Sequence, residues 1–492
     1  MSPALRASIA LALMAGFYLL ALASGIGLLA FAWVALAAKS VATLKVALLA
    51  AVAGGTVLFS LRPRVDRFEP PGPALTREAQ PELFGVIEDV ARATRQAVPR
   101  QVYAVPDVNA WVSTRGGVLG IGGRRVMGLG LPLLHLLTVD QLKAVLAHEF
   151  GHYGGGDTKV GRLVYHTRAG LGRTLDAVEG KAIAILFNLY GRFVMRVSTA
   201  VARHEEFAAD RFAAQATSAA DLAASLARLD RHGPLFPLFY ASNLYPVIEE
   251  GYWAPIGEGF AAFCASAMFN DGSVTVPVGE ATPNRGAGEP DAAVDDGRYD
   301  SHPPTSARIA ALNAIGPLNP GRIADTRVAG SLLRESNQLE FHVFKPADEK
   351  RAATLKAVEW PDVTARVMVP RWQRIARERA HILSRVRIES PPVTARDVVQ
   401  LGRTVGGQAL RDRDDEDVIS EVLFGIGCGV MVKLIEAGWE PGPSPSLLAE
   451  LTRGTDRLDP LRRMFEIAHG AMPIDEWAAF CQKEGLRGSL AP

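Results

Sequence analysis

Cysteine is scarce in this chain: three residues in 492, Cys264, Cys428 and Cys481. They are far apart, odd in number and form no CxxC pair. That excludes a disulfide framework and a cysteine-ligated metal site, and it suits a reducing compartment. All three read as small buried hydrophobes. A charge excess is missing too, because 53 basic residues face 52 acidic ones. With no global field, nothing favours nucleic acid as a partner. No GxxxxGKS or GxxxxGKT loop occurs, so the pairs Gly116-Gly117 and Gly122-Gly123 read as hairpin punctuation rather than a phosphate cradle. There is no internal repeat.

Charge is absent altogether from Ala7 to Ala38. That run exceeds the roughly 20 residues needed to cross a hydrocarbon core. A second apolar run, Val46 to Leu61, follows Lys39 and Lys45, and Lys45 extends it by snorkelling. The two runs predict a transmembrane hairpin within residues 1–67, with spans at about 8–38 and 43–61. A secretory signal is the rival, since Ala21-Leu22-Ala23 resembles a cleavage site, but its apolar part is shorter. Arg62, Arg64 and Arg67 at the exit and Arg6 at the entry outnumber Lys39 and Lys45 in the turn. By the positive-inside rule this places the bulk of the chain in the cytoplasm.

The proline-rich joint PPGPAL, Pro70 to Leu75, ends the membrane region. Residues 68–345 are expected to form one domain. It opens with a helix from Pro81 whose apolar positions are Leu83, Val86, Ile87, Val90 and Ala91. RQVYAVPDVNAWV then reads as strand, turn and extended segment, with a return strand from Arg125 to Gly130. Ala182 to Val201 is apolar, but Asn188, Arg192 and Arg196 recur every four residues, so an amphipathic helix is expected rather than a third span. Residues 268–301, poor in large apolar groups, read as a mobile insertion. Residues 346–492 read as a mostly helical region without a catalytic motif.

Thr138-Val139-Asp140-Gln141 has the pattern of a capping box, and Asp140 suits a first helical turn. The helix it opens carries VLAHEFGHYGGG, with His148 and His152 one turn apart on one face. Two imidazoles so placed can hold one zinc ion, and Glu149 stands beside them. An ion there lowers the pKa of a water towards about 7 while a carboxylate takes its proton. A catalytic zinc normally has three protein ligands and one open position. VARHEEFAADRFAAQ, Val201 to Gln215, offers the third, with Glu206 and Asp210 one turn apart. Glu206 can bind the metal while Asp210 orients a ligand histidine from behind. A solvated acidic face paired with Arg203 and Arg211 explains the same spacing. Glu205 and His204 are competing ligands, but neither lies one turn from Asp210.

Together these segments resemble the membrane-anchored zinc endopeptidases of the HtpX and CAAX-prenyl-protease type. The likeness runs through Pro81-Glu82-Leu83, VYAVPDVNAWV, LTVDQLKAVLAHEFGHYGGGDT, EFAAD and SHPPTSARIAAL, ending at Leu312. It implies an α+β, zincin-like (gluzincin) catalytic domain with a small edge sheet, and one zinc ion on His148, His152 and Glu206. Glu149 would be the general base and Asp210 the aspartate behind the ligands. Asn109 and Ala110 match an Asn-Ala pair on an edge strand to which a substrate peptide adds as a further strand. His302 matches a histidine that donates to the oxyanion or shields the zinc, and Arg308 an arginine that anchors its loop. The implied activity is proteolysis of protein or peptide substrates at a bilayer, in a multi-pass protein of the bacterial inner membrane. The rivals are a zinc-stabilised membrane scaffold or chaperone and a soluble secreted protease. Substrate identity and oligomeric state are not legible.

Overall fold

The computed structural model describes residues 3–37, 41–61, 68–115, 123–154, 184–265, 303–316, 323–346, 348–442, 445 and 450–492. The turn of the apolar hairpin, the tip of the Gly-rich hairpin, the expected insertion at 268–301 and His302 lie outside these residues.

Helices α1 (Pro3–Ala37) and α2 (Val41–Ser60) form the N-terminal hairpin. They cross closely at two glycines: a Cβ on Gly54 would lie 2.8 Å from the carbonyl oxygen of Gly25. Small residues at a crossing allow apolar helices to gain van der Waals contact where no hydrophobic effect drives them together. Leu19, Trp33, Val41 and Leu49 point outward, exposed. Among the described residues three helical segments are long and apolar enough to span a bilayer: Ala15–Ala37, Val41–Ser60 and Asp415–Glu436. Protein buries only 17% and 22% of the first two but 67% of the third. The third also opens with Asp415, Glu416 and Asp417. Burial and the acidic first turn therefore mark Asp415–Glu436 as the central helix of a packed core, whereas most of the hairpin's apolar surface is left uncovered by the described residues.

The chain divides into two units. One comprises Met1–Gly233 and Gly279–Val343, the other Pro234–Val278 and Phe344–Pro492. The sequence alone groups 68–345 together; contacts instead assign Pro234–Val278 to the C-terminal unit. Aromatic packing explains the difference. Phe239 meets Phe260 at 5.6 Å, Phe263 at 5.5 Å and Trp360 at 5.6 Å between ring centroids. Those rings have no periodic signature that ties them to a tryptophan so far along the chain. Elsewhere in this unit Val422, Ile426, Val430 and Leu434 of the Asp415–Glu436 helix meet Trp372, Leu383 and Met464 in one core. The three cysteines are buried and unpaired.

In the first unit a four-stranded sheet has the order β1-β2-β4-β3, with β1 Ala74–Leu75, β2 Gln101–Val105, β3 Ala110–Arg115 and β4 Arg124–Gly130. β2 and β4 run parallel; the other two pairings are antiparallel. Among the described strands β3 stands at the end of this order, with Ala110 opposite Leu129 and Trp111 opposite Gly128. Helix α3 (Pro81–Ala93) buries Leu83, Val86, Ile87 and Val90, as its periodicity predicts. After a short α4 (Leu131–Leu136) comes α5 (Val139–Gly154), which packs against α3, β3, α6 (Ala184–Ala216) and α7 (Ala219–His232). Helix α8 (Thr305–Asn313) packs on α6 and α7.

Candidate metal centre

The start of α5 is fixed by the capping box. The Thr138 N–H donates to Gln141 Oε1 at 3.1 Å, and the Gln141 N–H to Thr138 Oγ1 at 3.3 Å. Both bonds satisfy N–H groups that a helix leaves unpaired. Asp140 does more than face the helix dipole. Buried, it accepts the N–H of Asp325 at 2.6 Å, and the Val139 N–H donates to the Arg327 carbonyl at 2.9 Å. A distant segment therefore clasps the end from which the histidines are measured.

Helix α6 is continuous from the apolar stretch near Ile185 into the acidic segment. No glycine or proline interrupts its last two dozen residues, which explains why one helix replaces the two that the sequence suggests. Near its start, the Tyr190 hydroxyl donates to the Leu13 carbonyl at 2.6 Å, and Val194 packs with Phe17, Ala21 and Val57 of the hairpin. Near its other end Glu206 and Asp210 face α5. Gly151, between the two histidines, makes that approach possible: a Cβ there would sit 3.2 Å from Ala209 Cα and 3.1 Å from the Phe212 ring.

His148, His152 and Glu206 converge, one donor atom from each lying within 4.8 Å of the others. The two Nε2 atoms are 3.2 Å apart, and each is close to the carboxylate, His148 at 3.5 Å and His152 at 3.6 Å. Donors about 2.0–2.1 Å from one tetrahedral zinc ion stand about 3.3–3.4 Å from each other, so this trio fits that ion. Among the described residues no other trio of metal-binding side chains comes together. His204 is exposed and Glu205 partly so, whereas Glu206 is buried.

Behind the trio is a charged relay. His148 Nδ1 lies 3.0 Å from Asp210 Oδ1. A proton on Nδ1 shared with that carboxylate leaves the Nε2 lone pair for a cation. Arg308 grips Asp210 with two bonds, Nε to Oδ2 at 2.8 Å and Nη2 to Oδ1 at 2.7 Å, and its Nη1 lies 3.1 Å from Glu206 Oε2. Burial opposes a charge on His148, but bonds to Asp210 and Glu206 outweigh it and raise its pKa to about 9 in the metal-free protein. Burial likewise works against the Asp210 carboxylate, yet bonds from Arg308 and His148 hold it below the usual range. For Arg308 burial is outweighed by the Asp210 bond and the Glu206 charge, and its pKa rises. The pocket is prepared for positive charge.

Of the residues singled out from sequence, His148, His152, Glu206 and Asp210 are brought together, and Glu149, partly buried, stands next to them on α5. Asn109 directly precedes edge strand β3, its carbonyl accepting the Gly130 N–H at 2.8 Å, and Ala110 begins that strand. His302 lies outside the described residues. Arg308 was assigned only to a loop; the structure buries it against both acidic residues of α6. A lone arginine within SARIAAL is the signal that could have marked it as buried.

A family model described as Peptidase family M48 matches residues 77–315. Curated proteins similar to the chain include Protease HtpX homolog 1 of Saccharolobus solfataricus, 36% identical over 83 residues, or 17% of this chain and 25% of that protein. The Protease HtpX homolog of Tropheryma whipplei is 29% identical over 180 residues, covering 32% of this chain and 58% of its own. Protease HtpX of Vibrio cholerae is 28% identical over 171 residues, with shares of 29% and 57%. The chain thus spans between 25% and 58% of the lengths of these relatives. No solved structure matches it.

Proposed function

We propose that the chain, which is similar over residues 77–315 to peptidase family M48 and over shorter stretches to HtpX proteases, is a zinc-dependent, membrane-bound endopeptidase acting on protein substrates. One observation carries this reading: three donor atoms from two helices, spaced as one tetrahedral zinc requires, with Glu149 beside them on the same helix as the histidines. A purely structural zinc prefers a closed shell of ligands and needs no such carboxylate. We read the β1–β4 sheet with α5 and α6 as a zincin-like catalytic domain.

His148, His152 and Glu206 would hold the ion, which when bound supplies Lewis acidity to the scissile carbonyl and to water. Glu149 takes the proton from the attacking water and returns it to the leaving amine. Asp210 fixes the His148 ring, and Arg308 fixes Asp210. An extended substrate is read as adding alongside β3, with Asn109 and Ala110 at the cleft end, and backbone pairing recognises chain shape rather than sequence. His302 is assigned to the oxyanion or to shielding of the ion. The α1–α2 hairpin spans a bacterial inner membrane, with the catalytic unit on the cytoplasmic side. Glu149→Gln should retain one zinc per chain by elemental analysis and lose cleavage of casein. Undiminished proteolysis by that variant refutes the role of Glu149, and absence of firmly held zinc in the parent refutes the whole reading.

A further inference from the structure

The two faces of the sheet differ. Val102, Ala104, Val112, Met127 and Leu129 share one, by register, and it is apolar. The other carries Tyr103, Gly128 and Trp111 in one row, with Arg115 and Arg124 opposite each other further along. The Trp111 indole covers Gly128, where an added Cβ would meet the ring. Phe68 packs on Tyr103 at 5.6 Å between centroids, and the Arg115 guanidinium lies 5.9 Å from the Phe68 ring centre.

Two features of this face call for an anion. Trp111 Nε1 and Arg115 Nε are buried donors without a hydrogen-bond partner, a rare and costly state in a folded protein. Arg115 and Arg124 are like charges directly opposite each other in neighbouring strands, which is unfavourable unless something negative lies between them. Neither arginine has an acidic partner among the described residues. The covalent chain indicates where the anion comes from. Phe68 is seven residues beyond Leu61 at the end of α2, a reach of about 25 Å at most. The sequence between them adds Arg62, Arg64 and Arg67 against Asp66, with Glu69 next. Aromatic rings with arginines beside an exiting helix are the composition of a membrane–water boundary, and arginine binds phosphate oxygens through several donors.

We infer that this face of the sheet seats the phosphate headgroup of an anionic glycerophospholipid in the leaflet where α2 ends. The inference rests on the reading of α1 and α2 as membrane spans. It sets β3 along the bilayer surface, beside polypeptide emerging from the membrane.

Tryptophan emission tests it. Of the seven tryptophans, Trp33 is exposed on α1, and Trp253, Trp360, Trp372, Trp439 and Trp477 are buried in the other unit. The full chain is reconstituted in phosphatidylcholine vesicles with or without phosphatidylglycerol, doped with a headgroup-nitroxide or a tail-brominated lipid. Subtracting Trp111→Phe isolates Trp111, and subtracting Trp33→Phe isolates Trp33. The expected result is loss of Trp111 emission to the headgroup quencher when phosphatidylglycerol is present, reversed by Arg115→Gln with Arg124→Gln. That double variant keeps all seven tryptophans, so the difference in quenching between it and the parent chain is read directly, without the Trp111→Phe subtraction. Quenching of Trp33 without quenching of Trp111 overturns the headgroup seat and leaves the membrane reading standing. Trp111 quenching indifferent to phosphatidylglycerol or to the double substitution overturns it too. If neither Trp33 nor Trp111 is quenched by any lipid, the membrane reading fails and takes this inference with it.

Discussion

Gly151→Ala sets two known effects against each other. In a helix interior alanine is favoured over glycine by about 0.8–1.0 kcal/mol, so propensity alone predicts a more stable protein. The added methyl, however, would sit 3.1 Å from Phe212 Cδ1, 3.2 Å from Ala209 Cα and 3.3 Å from the Ala209 carbonyl. Phe212 can swing away, but Ala209 is backbone, and relief there requires α6 to move off α5 by a few tenths of an ångström. Overpacking of this kind costs about 1–3 kcal/mol, which cancels or exceeds the propensity gain. The displacement falls on Glu206 and Asp210, which flank Ala209 within one turn. Metal sites tolerate about 0.2 Å in ligand distance, so zinc affinity should fall about 10–100-fold, the scale seen when groups supporting a ligand are altered. Competition against a chromophoric chelator reads the affinity, and thermal unfolding of stripped and loaded protein reads the stability. A higher Tm with unchanged affinity would mean that Gly151 does not set the spacing between the helices.

Arg308→Met should destabilise the stripped protein by about 3–5 kcal/mol, because it leaves buried Asp210 and Glu206 with only His148 to offset their two charges, and Asp210→Asn in the same chain should restore part of the loss. Full additivity in that cycle, measured by denaturation, would count against the network. Stripped protein should also weaken as pH rises. The His148 pKa is raised above its unfolded value, so its contribution is complete below about 6.5 and is lost as pH climbs through about 9. Asp210, held low, contributes above its ordinary 3.8 and loses its effect only as pH falls through its depressed value. A flat Tm between pH 6.5 and 9 in chelator-treated protein contradicts the assignment. Thr138→Ala should cost about 1 kcal/mol through the lost cap, seen as a lower denaturant midpoint at unchanged slope.

Local chemistry made part of this site legible. Thr138 and Gln141 are three residues apart and His148 and His152 four, so each pair is decided by the geometry of a single helix. Glu206 and Asp210 were ambiguous for the opposite reason. Their spacing suits a solvated face as well as a buried one, and what buries them includes Arg308, 98 residues away from Asp210. Nothing periodic announces such a partner. The packing of Phe239 on Phe263 and Trp360 was hidden on the same ground, since aromatic packing across long separations leaves no trace in local pattern. Asp415–Glu436 shows the complementary limit: composition alone equates it with the hairpin helices, and only its surroundings distinguish it.

Helix α6 touches the hairpin at Tyr190 and carries Glu206 16 residues later. At 1.5 Å per residue those points are about 24 Å apart on one stiff rod. A rotation of one degree about the Tyr190 end sweeps the carboxylate through about 0.4 Å, twice the 0.2 Å tolerance of a metal bond. Any tilt of the hairpin would thus act on Glu206 through a long lever arm.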